Sequence, residues 1–298
     1  MSLKKIISFT AICFLLVGCT TAPKLNPSLI RPWSETLDKE YPQDKVTIVS
    51  YKHGPYELFY VTAHHSTQIS SDTNRAVDAL FDKKKFNVLV IEPISYSYGE
   101  SPAWFVEESK KGLSQDFVPG GESAWATLKA NSANIPFYGG EPDHLDIYKA
   151  LKAKGYPDQD VIGFYFARQI PAWIRQKEPV KNLLLKKYPD FSNSYCQRFS
   201  IQICPKLNET LAWFKSNNGH DLSIDVTNNE MGPYQNGTFT QRIAYAIDEV
   251  RNAYTLNVVQ TLLEKYKKVA VVYGASHFRN LRKSFDEVLG DPSFEEIK

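Results

Sequence analysis

The sequence predicts an α/β fold: a central mixed, largely parallel sheet with helices on both faces and a helical insertion. Three observations predict it. Short apolar or alternating runs recur along the chain, separated by stretches with helical spacing, the pattern of a sheet covered by helices. The run 87–91 (Asn-Val-Leu-Val-Ile) is apolar with little alternation, as in a strand buried on both faces. From 143 to about 216 the chain reads mostly helical, with no clear strand between.

The elements follow in order. Residues 45–51 alternate as a strand does, His53-Gly54-Pro55 is a turn, and 57–61 is a second strand, so the pair predicts a hairpin. Ala76, Val77, Leu80 and Phe81 set a helix over 72–84. The inner strand 87–91 follows. Gly120-Gly121-Glu122 precedes a helix at 123–131, and 135–138 is another short inner strand. The insertion, about 145–220, carries many aromatic residues and a cysteine pair. Ile243, Ile247, Val250, Tyr254, Val258 and Leu262 form one stripe of a long helix over 240–266. A last strand, 268–273, leads into a helix from about 277 to 289.

The N-terminus reads as an export signal. Lys4 and Lys5 precede an apolar run of about a dozen residues, where a membrane span needs about 20. Leu16-Val17-Gly18-Cys19 matches a lipobox, so residues 1–18 are expected to be removed and Cys19 to carry a diacylated thiol and an acylated amine. Several acyl chains anchor stably, since each buried methylene contributes about 0.8 kcal/mol. Thr20, which is not Asp, favours the outer membrane and a periplasm-facing, lipid-anchored protein of the cell envelope. Residues 19–40, with Pro23, Pro27 and Pro32, read as the lipidated cysteine and a flexible tether, and 41–298 as the folded domain.

Of the 35 basic residues two lie in the leader, which leaves 33 against 33 acidic ones. No basic block suggests a nucleic-acid face. Cys13 leaves with the leader and Cys19 is lipidated. Cys196 and Cys204 then read as a disulfide in an oxidising compartment, worth about 2–3 kcal/mol for so short a loop.

Ligands in a sheet of this class sit beyond the carboxyl ends of the strands. Four inner strands end in candidate groups: Thr62-Ala63-His64-His65, Glu92-Pro93, Gly139-Gly140-Glu141-Pro142-Asp143-His144, and Gly274-Ala275-Ser276-His277. Four of the six histidines fall there. A histidine near a helix start is favoured neutral by the dipole, the form that binds a metal. Two histidines with carboxylates offer the nitrogen and oxygen donors of a divalent-ion site. Any one of them alone is more often a packed, hydrogen-bonded residue. His53 and His220 read as surface.

These residues carry a resemblance to the Tiki/TraB superfamily, which includes the haem-binding lipoprotein ChaN and the erythromycin esterases. Gly274-Ala275-Ser276-His277 resembles its late Gly-x-x-His motif, Ile91-Glu92 its strand-end glutamate, and Arg251-Asn252 the Arg-Asn of its long helix. The early Gly-x-x-His is represented by Thr62-Ala63-His64-His65, with Thr62 in place of glycine and His65, or alternatively His64, as the equivalent histidine. The resemblance spans about 46–289 and leaves the insertion unsupported. It implies a divalent-metal-dependent hydrolase, of peptidase or esterase type, using zinc, manganese or cobalt. His65, His277 and Glu92 would be ligands, Glu92 alternatively the base. Arg251 would stabilise an oxyanion or form a buried salt bridge. Glu141 and His144 are additions from their post-strand positions, outside the motif. Partners are then the bilayer through Cys19 and a small-molecule or peptide substrate. Two other classes stay open: a ChaN-like lipoprotein that holds haem without catalysis, and a degenerate structural or interaction lipoprotein.

Overall fold

The computed structural model describes residues 22–41, 45–174, 180–222 and 229–297. The leader, Cys19 and Thr20 lie outside the described residues. The elements are α1 (Glu35–Glu40), β1 (Thr47–His53), β2 (Tyr56–Ala63), α2 (Asp72–Lys83), β3 (Val88–Ser95), α3 (Ala103–Lys110), α4 (Gly121–Ser132), β4 (Phe137–Glu141), α5 (His144–Ala153), α6 (Asp158–Ile174), α7 (Val180–Phe199), α8 (Leu207–Asn218), α9 (Phe239–Tyr266), β5 (Lys268–Gly274), α10 (Ala275–Leu289) and β6 (Ser293–Glu296).

The fold is α/β, with a mixed sheet in the order β4-β3-β5-β2-β1-β6. β4, β3, β5 and β2 run parallel. β1 and β6 add antiparallel at one edge, and β1–β2 is the expected hairpin. Alternate residues of each strand bury on opposite faces, as the pleat requires. Val49, Leu58, Val90 and Val271 meet Val259 and Leu262 of α9 and Leu281 and Phe285 of α10 on one face. Val61, Leu89, Ile91 and Val272 meet Ala76 and Leu80 of α2 and Ala126 of α4 on the other. Helices therefore cover both faces.

The insertion α5–α8 builds its own core, with Phe164, Phe166, Tyr188 and Phe214 packed against Ile243 and Ile247 at the start of α9. The disulfide Cys196–Cys204 is present, with Cα atoms 5.8 Å apart, tying the end of α7 to the approach to α8.

Besides the unforeseen short elements α1, α3 and β6, three parts differ from expectation. β3 runs four residues past its expected end, to Ser95, and takes in Glu92. β4 begins two residues later than the apolar pattern suggests and absorbs Gly139, Gly140 and Glu141. The stretch expected to be tether is docked over 22–41. The Leu25 N–H donates to Gln260 Oε1 (2.7 Å), the Asn26 N–H to Ser284 Oγ (2.9 Å) and the Arg31 N–H to the Asn280 carbonyl (2.9 Å). Leu25 and Leu37 are buried, and Asp38 pairs with Arg279. Isolated apolar anchors hold this segment, so it carries no periodicity to read. Among the described residues no helix is long and apolar enough to cross a membrane.

Candidate active site

Because β4, β3, β5 and β2 are parallel, their carboxyl ends open along one edge of the sheet. A cleft of about 1330 Å³ lies there, walled on the far side by the insertion. His65, Glu92, Glu141, His144 and Arg251 all line it.

β5 ends at Gly274, and α10 starts at once, so His277 falls in the first helical turn. His277 is buried, with 4% of its surface exposed. Its Nδ1 donates to Asn252 Oδ1 on α9 (2.7 Å). The direction follows from Asn252, whose Nδ2 donates to Asp248 Oδ2 (2.8 Å) and so turns its oxygen to the imidazole. Nε2 is left bare, 3.9 Å from Glu92 Oε1. Burial holds the His277 pKa well below its ordinary value and pushes Asp248 up to about 6.

β2 ends differently. No helix follows until α2, and His65 lies in extended chain with two thirds of its side chain accessible. Its Nδ1 donates to Glu122 Oε1 (2.6 Å), and Nε2 stands 4.0 Å from Glu92 Oε2. Glu122 is buried in the first turn of α4 and also accepts the Ser66 N–H (3.3 Å). Gly121, at φ +63°, permits this: a Cβ there would stand 3.2 Å from the Ser66 carbonyl oxygen. The hydrogen bond to Glu122 pushes the His65 pKa up to about 9. The expected neutral histidine at a helix start is therefore realised at His277, with burial as its main cause, and not at His65.

Glu92 lies where the β3–β4 register shifts, between Ile91 and Ser95. Its Oε2 accepts the Gly274 N–H (2.8 Å) and its Oε1 accepts Arg251 Nη2 (2.9 Å). Arg251 also donates through Nε and Nη2 to Glu141 (2.8 and 2.5 Å). Tyr273 donates its hydroxyl to Glu141 as well. Arg251 thus forms the salt bridge anticipated as one of its two readings, while its Nη1 has no acceptor among the described residues.

A Cβ on Gly274 would meet Glu92 Oε2 at 3.2 Å, His277 Cδ2 at 3.6 Å and His65 Nε2 at 3.7 Å. These distances place both histidines and Glu92 around one small gap. Among the described residues no three His, Cys, Asp or Glu side chains are already drawn together as an ion would draw them.

Thr62 is buried and bonds Thr47 across the hairpin (N···Oγ1 3.0 Å). The register pairs Ala63, not Thr62, with Gly274. His64 is exposed and does not line the cleft; Thr73 bonds its backbone. His144 opens α5 on the insertion wall, facing Tyr165 and Tyr195 at 5.8 and 6.1 Å between ring centroids. Sequence reasoning missed Glu122 as a site residue. The signal available was its Gly-Gly-Glu context at a helix start. Asp248, one turn before Asn252, was missed too.

No model of a known protein family matches the chain, and neither characterised proteins nor solved structures give a significant match.

Proposed function

We propose that the protein is a lipid-anchored hydrolase of the cell envelope, assisted by a divalent ion held by His65, His277 and Glu92. One observation carries this reading. Both imidazoles are tied through Nδ1, and both direct Nε2 to Glu92, at 4.0 and 3.9 Å. Bonds of about 2.0–2.2 Å to nitrogen and oxygen separate neighbouring ligand atoms by about 3–4 Å. The donor set therefore fits zinc, manganese or cobalt after a small closure, and Gly274 leaves the space. The Tiki/TraB resemblance supports the hydrolase class, and the lipobox at Cys19 supports an outer-membrane anchor facing the periplasm.

When bound, such an ion lowers the pKa of a coordinated water toward neutrality or polarises a carbonyl. The chain's own residues have separate tasks. Glu122 and Asn252 orient the two imidazoles, as the outer partners of histidine ligands do. Arg251 and the Gly274 N–H pin Glu92, which serves as ligand or as base. Arg251 Nη1 remains to meet charge developing on a substrate oxygen. The cleft is large enough for a peptide or a sizeable ester.

The test is a screen of peptide and ester substrates with the purified protein in the presence of zinc, manganese or cobalt. Metal-dependent hydrolysis lost in His65→Ala and in His277→Ala is the expected result. A haem-binding lipoprotein without catalysis is the competing reading, supported by Tyr98, Trp104, Tyr165 and Tyr195 along the same cleft. No hydrolysis, with a sharp haem absorbance band on titration, would replace the proposal with that one.

A further inference from the structure

The cleft has two ends of opposite character. At the strand ends Glu92, Glu122 and Glu141 are held by Arg251, His65 and Tyr273. On the insertion wall stand Arg168 of α6 and Arg198 of α7, and among the described residues neither has a carboxylate partner or a hydrogen-bond acceptor. Arg198 only lies over the Tyr195 ring, its Cζ 5.3 Å from the centroid. Arg168 is accessible to solvent yet surrounded by protein, as a group lining a deep cleft is. Beside them Tyr165 is 4% exposed, and its buried hydroxyl has no hydrogen-bond partner. The nearby carboxylates are engaged elsewhere. Glu141 is bound by Arg251 and Tyr273, and Asp143 caps α5 through the Leu145 N–H (3.0 Å).

Arginines that serve structure pair with carboxylates or carbonyls, and an unmade hydrogen bond at a buried hydroxyl is costly. Two guanidiniums and a phenol that have no partner among the described residues, on one wall, are the donor set for an oxyanion, which a guanidinium takes in bidentate fashion. We infer that the insertion wall is an anion-recognition subsite, in which Arg168, Arg198 and Tyr165 hold a carboxylate or phosphate carried by the ligand away from its reacting bond. The substrate class this implies, an anionic ester or amide with its charge directed to the insertion, rests on the hydrolase reading. The anion site itself does not.

The test is calorimetric titration of the purified protein with inorganic phosphate and with succinate, using uncharged 1,4-butanediol as control. At least one anion binds with Kd of about 10 mM or tighter, and butanediol does not. Binding weakens at least about tenfold in Arg168→Gln and in Arg198→Gln, and less in Arg168→Lys, which keeps the charge but loses the fork. It is unchanged in His65→Ala. A response to phosphate alone identifies a phosphorylated ligand, and one to succinate alone a carboxylate. No binding of either anion overturns the inference. So does binding indifferent to both glutamine variants while their unfolding midpoints match wild type, and so does loss of binding in His65→Ala. Intact anion binding without hydrolysis of any substrate sinks the hydrolase reading and leaves this subsite standing.

Discussion

The ends of β2 and β5 carry the two site histidines and are built in opposite ways. β5 runs into α10 through Gly274, and His277 is locked in a helix, buried and bonded to Asn252. β2 runs into irregular chain, and His65 is exposed, its one hydrogen bond among the described residues being to Glu122. The strands pair in register, Ala63 beside Gly274, yet the histidine falls two residues on in one and three in the other. Both still present Nε2 to Glu92. Similar placement of a side chain therefore does not require the same turn, provided a partner from another element holds the far nitrogen. Thr62, near the end of β2, is accordingly no obstacle to His65 reaching Glu92, because Glu122 holds the imidazole from another element.

That contrast is sharpest in stability. His277→Ala empties a buried position and strands Asn252 Oδ1, so it is expected to cost about 2–4 kcal/mol in urea unfolding. His65→Ala, at an accessible side chain, is expected to cost less than about 1 kcal/mol. Equal losses would mean that the two ends are not built differently. Glycine substitution tests the same pair from the backbone. Gly274→Ala crowds Glu92 Oε2 at 3.2 Å, fills the gap that both histidines border, and should weaken zinc binding by about tenfold or more. Ala63→Gly should cost only about 0.5–1 kcal/mol of stability and leave zinc binding alone.

A smaller effect probes the support of the exposed end. Glu122→Gln keeps an acceptor for His65 but removes the charge, and outer partners of metal-binding histidines are typically worth about 10–100-fold in affinity. A loss nearer tenfold is expected, with little change in unfolding midpoint. No change in affinity would remove Glu122 from the site.

The smallest effect lies away from both strand ends, in α6. Burial raises the Asp160 pKa above its ordinary value near 3.8, although Trp213 donates to it (2.8 Å). The folded state then holds its proton more tightly than the unfolded chain. Stability from this group is fully present below about pH 3.8 and is lost as pH rises through the raised value. Asp160→Asn should flatten that limb of stability against pH and slightly raise stability at pH 7. An unchanged acid limb would show that Asp160 does not titrate differently in the fold.

Much of the fold was legible because its elements carry strong patterns. The β1–β2 hairpin, the last inner strand and the long α9 stripe are found close to their expected limits, while β3 and β4 run three to four residues further than expected. Missed were α1, α3 and β6, which are short and bury few residues, and the docked segment 22–41. The strand ends were legible as a set, because a parallel sheet must bring Glu92, Glu141, His65 and His277 to one edge. Which of His64 and His65 faces the cleft depends on Glu122, 57 residues on, which no local pattern reveals. Glu122 and Arg168 were invisible as site residues for the same reason: only the packing of α4 on the sheet, and of α6 on the start of α9, brings them to the cleft.

Two histidines just beyond the ends of different strands are proposed to serve one ion with Glu92. Calorimetric titration of zinc and manganese into the purified protein tests this most directly, alongside His65→Ala and His277→Ala. One ion per chain, with affinity lost in both variants and His65→Ala still folded, is the predicted result. No binding, or binding that survives loss of either histidine, would contradict it.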